Sequence, residues 1–357
     1  FFLIGLSKDL KILAYETTFY QNAGAAADLS PAVMERTLFH GTNSYFIPNV
    51  KMTAYSCKTN LPPNTAFRGF GGPQGMFVIE SALAHAAEEL GISKHKLQKN
   101  NLLRNGDEFP YGQIADGVEL NSIWQNMESK FDIETIEKEI QEFNSSHSDV
   151  KRGFSFMPVT FGISFTKTPM NQARALVHIY TDGSVGISTG AVEMGQGVNT
   201  KMLQIAAHIF SIDPKRIKLE STNTMRVANT SPSAASSTAD LNGKALQKAC
   251  NVLLERLTTC AAEYLGVSSN DITLKDGMVY ANENQTDLTW DQLVMMAFLK
   301  RICLTENGHY ATPRINFDMD KEKGHPFAYH VYGLALTQVT LDCIRGTYDF
   351  DSVKIVH

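Results

Sequence analysis

The chain has 357 residues, 43% of them hydrophobic and 19% charged, which is typical of a globular protein with two or three domains. Its net charge of −5 provides no basic surplus to neutralise phosphates, so a nucleic-acid-binding function is not expected. The five cysteines include no C-x-x-C pair, which argues against an iron–sulfur cluster or a zinc knuckle on this chain. Their wide spacing, and the lack of a membrane-length apolar run, indicate a cytoplasmic protein without a membrane partner.

Helices are predicted where a capping residue or a proline precedes an apolar pattern with a period near 3.6. In chain order they cover residues 30–41, 73–91 and 93–105, and then pass through residues 202–209 and 245–257. Strands are predicted where apolar residues alternate. They form one hairpin around Asp182-Gly183, a second around Asp276-Gly277 and a long strand over residues 329–342.

Both ends of the chain fall inside strand-like runs, residues 1–6 and 353–356, which predicts that they join further segments or other chains. A polar, acidic stretch over residues 121–144 is predicted to be one exposed helix, and a serine-rich linker follows it. We therefore divide the chain into two subdomains, residues 1–148 and 149–357. Strands and helices are mixed in both, which indicates an α+β fold.

Three segments place glycines or other small residues just before a predicted helix: residues 66–75, 190–197 and 231–238. Without side chains, backbone N–H groups can approach a ligand closely, and the N-terminus of a helix adds positive potential. One such segment is usually only a turn, but three of them favour a large, polar, anionic cofactor. None contains a P-loop, and none has the G-x-G-x-x-G pattern of a Rossmann site.

Residues 64–75 (NTAFRGFGGPQG) resemble the molybdopterin-loop signature of the xanthine dehydrogenase and aldehyde oxidase family of molybdenum hydroxylases. Residues 193–197 (EMGQG) and 229–236 (NTSPSAAS) resemble two further signatures of that family. Residues 34–36 (MER) and 161–166 (FGISFT) are similar to its substrate-pocket segments. The five segments occur in order and at family-like spacing, and the resemblance is to the xanthine dehydrogenase type.

The resemblance implies a molybdenum–molybdopterin cofactor, bound by a large subunit or domain of such an enzyme. Its three signatures imply nine cofactor contacts: Phe67, Arg68, Gly69, Met194, Gly195, Gln196, Ala234, Ala235 and Ser236. Arg68, Gln196 and Ala235 would lie nearest to the metal, through backbone or indirect contacts, and Gln196 would also take part in catalysis. A [2Fe–2S] cluster and FAD are expected on other domains or subunits of the same enzyme.

The resemblance also implies a purine or related heteroaromatic substrate. Phe70 and Phe165 would flank the flat ring, and Thr166 would hydrogen-bond its edge. Arg36 would be catalytic as well as substrate-binding, since it would face the negative charge that develops on a purine during hydroxylation. Taken singly, Arg36 is more often a solvated helix residue and the two phenylalanines are more often core residues. The ordered set of motifs therefore carries the interpretation.

We expect the chain to hydroxylate purine-type heteroaromatic C–H bonds, with water as the oxygen source, as part of a larger enzyme. An aldehyde oxidase-type molybdenum hydroxylase is one alternative, and a truncated, non-catalytic assembly subunit is the other. Arg36 favours the purine enzyme, because a neutral aldehyde needs no cation there. The family's general-base glutamate is expected beyond His357. Lys167 stands where relatives carry a small or aliphatic residue, which leaves the exact substrate open.

Overall fold

The computed structural model describes residues 1–357 and has the α+β architecture that the sequence predicts. The helices are α1 Ser30–Phe39, α2 Gly72–Leu90, α3 Lys94–Asn100, α4 Leu120–Lys130, α5 Ile133–Ser146, α6 Val198–Phe210, α7 Thr238–Leu265 and α8 Trp290–Leu299. The strands are β1 Phe2–Leu6, β2 Ile12–Gly24, β3 Val50–Lys58, β4 Val150–Ile163, β5 Gln172–Ile179, β6 Val185–Thr189, β7 Ile217–Leu219, β8 Ile272–Lys275, β9 Met278–Ala281, β10 Asn284–Thr289, β11 Thr305–Ala311, β12 Asn316–Asp318, β13 Lys323–His325, β14 Tyr329–Asp342 and β15 Thr347–Val356.

The chain divides into two compact units, and their limits differ from the predicted division after residue 148. Unit 1 comprises residues 1–166 and 315–357, and unit 2 comprises residues 167–314. The difference arises because β4 pairs with β14 along its whole length, in a three-stranded sheet of order β15-β14-β4. This long-range pairing assigns both strands to unit 1, although more than 160 residues separate them in sequence.

Unit 1 also contains a sheet of order β1-β2-β3, in which β2 and β3 are parallel and α1 forms the crossover between them. The apolar pattern predicted for α2 is confirmed at Met76, Ile79 and Leu83, which are buried in the core. Leu90, in the last turn of α2, is exposed instead. The core buries several aromatic rings completely, among them Trp124 and Phe327.

The acidic stretch over residues 121–144 is two helices, α4 and α5, so the prediction of a single exposed helix is wrong. The Asp132 side chain accepts a hydrogen bond from the Thr135 N–H and caps α5, which ends α4 before it. One face of α4 is buried in unit 1 through Ile123, Trp124 and Met127. Only α5 has the exposure that was predicted, since it buries none of its residues.

Unit 2 is built on a sheet of order β11-β5-β6-β7, and the 28-residue helix α7 packs against β5 and β11. The predicted hairpin around Asp182-Gly183 is confirmed as β5 and β6, and that around Asp276-Gly277 as β8 and β9. The loop from residue 190 to 197 connects β6 to α6, and residues 231–237 lead into α7. None of the eight helices combines the length and the apolar character that a membrane crossing requires.

Candidate active site

Arg36 lies on the buried face of α1, with only 2% of its surface exposed. Its Nη1 donates to the Gly162 carbonyl at 2.6 Å, and its Nη2 donates to the Ser164 carbonyl at 2.5 Å. The rings of Phe161 and Phe327 flank the guanidinium, whose carbon is 5.2 and 5.1 Å from the two ring centroids. Burial lowers the pKa of Arg36 to about 10, so the side chain keeps its charge at neutral pH.

His40, one turn after Arg36 on α1, is a site residue that the sequence analysis missed. Its Nε2 accepts a hydrogen bond from the Gly162 N–H at 3.0 Å, so Nδ1 carries the proton and donates to the Arg36 carbonyl at 3.0 Å. Burial and the neighbouring Arg36 cation hold the pKa of His40 well below its usual range. The only signal in the sequence is the spacing of four residues, which places His40 and Arg36 on one helix face.

Gly162 lies where β4 passes directly under an aromatic ring. A Cβ atom at this position would overlap the Phe327 ring, so only glycine allows the close approach. The predicted substrate residues Phe165 and Thr166 follow at the end of the strand, and both are half-buried. The Thr166 hydroxyl donates to a Glu35 carboxylate oxygen at 3.3 Å.

Thr166 and Glu35 line a cavity of about 220 Å³ in unit 1. Its other walls are mainly apolar and aromatic: Leu38, Phe39, Val50, Met52, Pro110, Tyr111, Phe317, Met319 and Glu322. The mixture of an apolar wall and a few polar groups is typical of small-molecule sites. Lys167, next in sequence to Thr166, is exposed.

The glycine-rich segment before α2 has a base that packs against α1 and an exposed tip. A Cβ atom at Gly71 would overlap the Val33 carbonyl, so part of the glycine pattern serves helix packing. At the tip, Phe67 is 77% exposed and Arg68 is also exposed. Phe70 has a φ of 50°, a left-handed backbone conformation that is uncommon for an aromatic residue.

The loop before α6 is organised by Glu193. Its carboxylate accepts hydrogen bonds from the backbone N–H groups of Gly195, Gly197 and Asn199 at 2.9 to 3.0 Å, and those from Asn199 and Gly197 lower its pKa most. The N-terminus of α6 therefore already has an anionic partner from this chain, and Glu193 occupies N–H groups that the sequence pattern left open to a polar, anionic cofactor. The Gln196 amide accepts from the Met194 N–H at 2.6 Å and donates to the Val192 carbonyl at 2.9 Å.

Two of the three small-residue segments meet within unit 2. The Val192 N–H donates to the Ser233 hydroxyl at 2.8 Å, which joins the loop before α6 to the segment before α7. Ala235 and Ser236 both have a φ of 55°, and a left-handed conformation costs about 1–2 kcal/mol for a residue with a Cβ atom. Ala234 and Ala235 are half-buried, and Ser236 is exposed. The predicted cofactor residues of unit 2 are thus neighbours, and two of them are strained.

We predict that unit 1 loses stability in mild acid, because the half-buried His330, like the buried His40, is held in the uncharged form. Burial lowers the pKa of His330 to about 4, so its contribution to stability is complete above pH 6.5 and is lost as the pH falls toward 4. Between pH 7 and pH 5 this group alone lowers the free energy of unfolding by about 2 kcal/mol.

The measurement is urea unfolding of a Trp290→Phe chain, in which Trp124 is the only tryptophan and reports on unit 1. His330→Gln should remove about 2 kcal/mol of the pH dependence. An unchanged pH dependence in that variant would mean that His330 titrates normally in the folded protein.

We predict that Ala235→Gly leaves the free energy of unfolding of unit 2 unchanged or raises it by up to about 1 kcal/mol. Relief of the left-handed strain offsets the greater flexibility of glycine in the unfolded chain. The matched control is Ala249→Gly within α7. This substitution should lower the free energy of unfolding of unit 2 by about 1 kcal/mol or more. Urea unfolding followed by Trp290 fluorescence, in a Trp124→Phe background, compares the two. Equal losses would contradict the strain at Ala235.

The family of molybdopterin cofactor-binding domains matches two segments of the chain, residues 2–102 and 126–357. The xanthine dehydrogenase/oxidase of Gallus gallus is 40% identical over 345 residues, which are 97% of this chain and 24% of that protein. The xanthine dehydrogenase of Oryza sativa subsp. japonica is 38% identical over 353 residues, which are 99% of this chain and 24% of that protein. The chain therefore spans about a quarter of the length of these relatives.

Solved structures with the same fold include quinoline 2-oxidoreductase from Pseudomonas putida 86, with a TM-score of 0.82 and 18% identity. The match covers 99% of this chain and 46% of that chain. The aldehyde oxidoreductase from Desulfovibrio desulfuricans has a TM-score of 0.79 and 24% identity, and the match covers 97% of this chain and 35% of that chain. At these identities the likeness concerns the fold alone.

Proposed function

Because the chain belongs to the xanthine dehydrogenase family of molybdenum hydroxylases, we propose that it forms the cofactor-binding part of an oxidoreductase that hydroxylates purine-type heteroaromatic rings with oxygen from water. The remainder of the enzyme, with its [2Fe–2S] and FAD groups, lies in other domains or subunits. The enzyme works in the cytoplasm. The observation that carries the proposal is the identity of 36–40% to xanthine dehydrogenases along 97% or more of the chain.

The residues of the three loops fit a large polar cofactor. Phe67, Met194 and Gln196 are exposed, although two of them are hydrophobic. A Cβ atom at Gly195 or Gly197 would meet no other atom within 4 Å, so the loop tip leaves room for a ligand. The nine cofactor contacts are therefore proposed as Phe67, Arg68, Gly69, Met194, Gly195, Gln196, Ala234, Ala235 and Ser236. When bound, the molybdenum centre supplies the oxygen-transfer and electron-accepting chemistry.

Gln196 is the residue of this chain that we propose next to the metal, along with the backbone at Arg68 and Ala235. Its hydrogen bonds to the Met194 N–H and the Val192 carbonyl hold the amide in one orientation. One N–H of the amide group and one lone pair of its oxygen remain available for the cofactor. A side chain that is already oriented loses little entropy when it binds, which favours a precise contact.

For the substrate, we propose that Phe70 and Phe165 flank the ring and that Thr166 binds its edge. Because the Thr166 proton is donated to Glu35, the hydroxyl offers lone pairs to the substrate and accepts from a ring N–H. We propose that Arg36 contributes positive charge to the site. Its Nη groups are bonded to backbone carbonyls, and only the buried Nε lacks a partner.

Oxidation of an aldehyde is the second candidate function, and the contacts of Arg36 favour it. The preference for a purine depends on a guanidinium that meets the substrate, whereas here both terminal nitrogens bind the chain's own carbonyls. A neutral aldehyde needs no cation in the site, so the same pocket suits it.

The test is steady-state kinetics of the complete, cofactor-loaded enzyme on hypoxanthine and on benzaldehyde, in water enriched in ¹⁸O. We expect a kcat/KM for hypoxanthine that exceeds that for benzaldehyde, and ¹⁸O in both products. Turnover of benzaldehyde alone would favour the aldehyde enzyme. A molybdenum-loaded protein with no turnover of either substrate would contradict the proposed function.

A further inference from the structure

We propose that Glu193 is a positioning residue, which holds the loop before α6 in the conformation from which Gln196 reaches the cofactor. The carboxylate fixes Gln196 through the backbone on either side of it and does not itself touch the cofactor. The consequence for cofactor binding rests on the proposed function, whereas the ordering of the loop in the cofactor-free chain does not.

Gln196 stands between two glycines, which by themselves would leave its place undefined. Gly195 and Gly197 have φ values of 93° and 75°, and glycine enters this left-handed region about as readily as the right-handed one. A Cβ atom at either glycine would meet no other atom within 4 Å, so packing does not hold them. The conformation of the loop must therefore come from hydrogen bonds.

Glu193 provides these bonds through both oxygens of one carboxylate. Its Oε1 accepts from the Gly195 N–H and from the Gly197 N–H, each at 2.9 Å. Its Oε2 accepts from the Asn199 N–H at 3.0 Å. One side chain thus ties both glycines to the first turn of α6. Hydrogen bonds to an ionised acceptor are about twice as strong as those between neutral groups, which suits the ordering of an exposed loop.

Helix α6 has no capping side chain of its own. Its N-cap residue is Gly197, which has no side-chain oxygen to accept a hydrogen bond from the first turn. Glu193 takes this role from four residues earlier, and its negative charge lies at the positive end of the helix. The bonds from Asn199 and Gly197 lower the pKa of Glu193 most, so the carboxylate is ionised at neutral pH.

The Gln196 side chain closes the same loop. Its amide oxygen accepts from the Met194 N–H at 2.6 Å, and its amide nitrogen donates to the Val192 carbonyl at 2.9 Å. These two bonds span the turn at Gly195, and that turn is fixed by Glu193. The orientation of the amide therefore depends on a carboxylate three residues earlier in the chain.

The structural test is residue-resolved amide hydrogen exchange of the cofactor-free, 357-residue chain. Because Glu193 is exposed, its variants should fold. We expect Glu193→Ala to raise the exchange of Gly195, Gly197 and Asn199 about tenfold, as for the loss of a hydrogen bond. Glu193→Asp is one methylene shorter, so it should keep Gly195 slow but release Asn199. The control Glu255→Ala removes an exposed carboxylate on α7 of the same unit. Unchanged exchange in Glu193→Ala, or an equal rise in the control, overturns the proposal.

The functional test is a double-mutant cycle on the complete, cofactor-loaded enzyme with Glu193→Ala, Gln196→Ala and the double variant. The readouts are the rate of molybdenum loss on dialysis and kcat/KM for hypoxanthine. If Glu193 acts through Gln196, each single variant loses molybdenum faster than wild type, and the double variant loses it no faster than Gln196→Ala. We expect a coupling of about tenfold, as for residues of one hydrogen-bond network.

Additive losses would mean that Glu193 touches the cofactor itself, and they overturn the proposal. No effect of Glu193→Ala on either readout overturns it as well. A wild-type enzyme that holds no molybdenum contradicts the proposed function only, and the exchange experiment then decides the role of Glu193.

Discussion

The burial of the Arg36 guanidinium against the carbonyls of Gly162 and Ser164 is the interaction on which the site in unit 1 depends. A charge that leaves water must be met by well-placed polar groups, and the end of β4 provides them. Helix α1 is thereby fixed to a strand that is more than 120 residues away in sequence. The glycine-rich segment before α2 also packs against α1, where Gly71 approaches the Val33 carbonyl. These contacts hold the backbone just before Phe165 and Thr166, the residues proposed to bind the substrate.

The sequence predicts the local elements of the fold well and its long-range pairings poorly. Capping residues and glycine turns are local signals, so the hairpin at Asp182-Gly183 and the strand over residues 329–342 were found. The pairing of β4 with β14 has no local signal, and the predicted division after residue 148 therefore differs from the observed units. In the acidic stretch, the many charged residues suggested an exposed helix although Trp124 of α4 is buried. The prediction also did not use Asp132 as a capping residue, so it joined α4 and α5 into one helix.

In the candidate site, too, local motifs were predicted from the sequence and long-range contacts were not. The motifs with glycine and glutamine gave the candidate cofactor loops, and two of these loops are hydrogen-bonded to each other through Val192 and Ser233. No pattern indicated that Glu193 would occupy the N-terminus of α6, because an exposed glutamate in a loop is unremarkable in sequence. His40 and the burial of Arg36 were missed for a related reason. A charged helix residue resembles a solvated one until its distant partners are known.

A crystal structure of the complete, molybdenum-loaded enzyme with a bound purine tests the central claim most directly. The account predicts that the Arg36 Nη1–Gly162 carbonyl distance stays near 2.6 Å and that His40 still accepts from the Gly162 N–H. Thr166 should then contact the purine edge, between Phe70 and Phe165. A purine that binds away from Thr166 and these two rings would contradict the account.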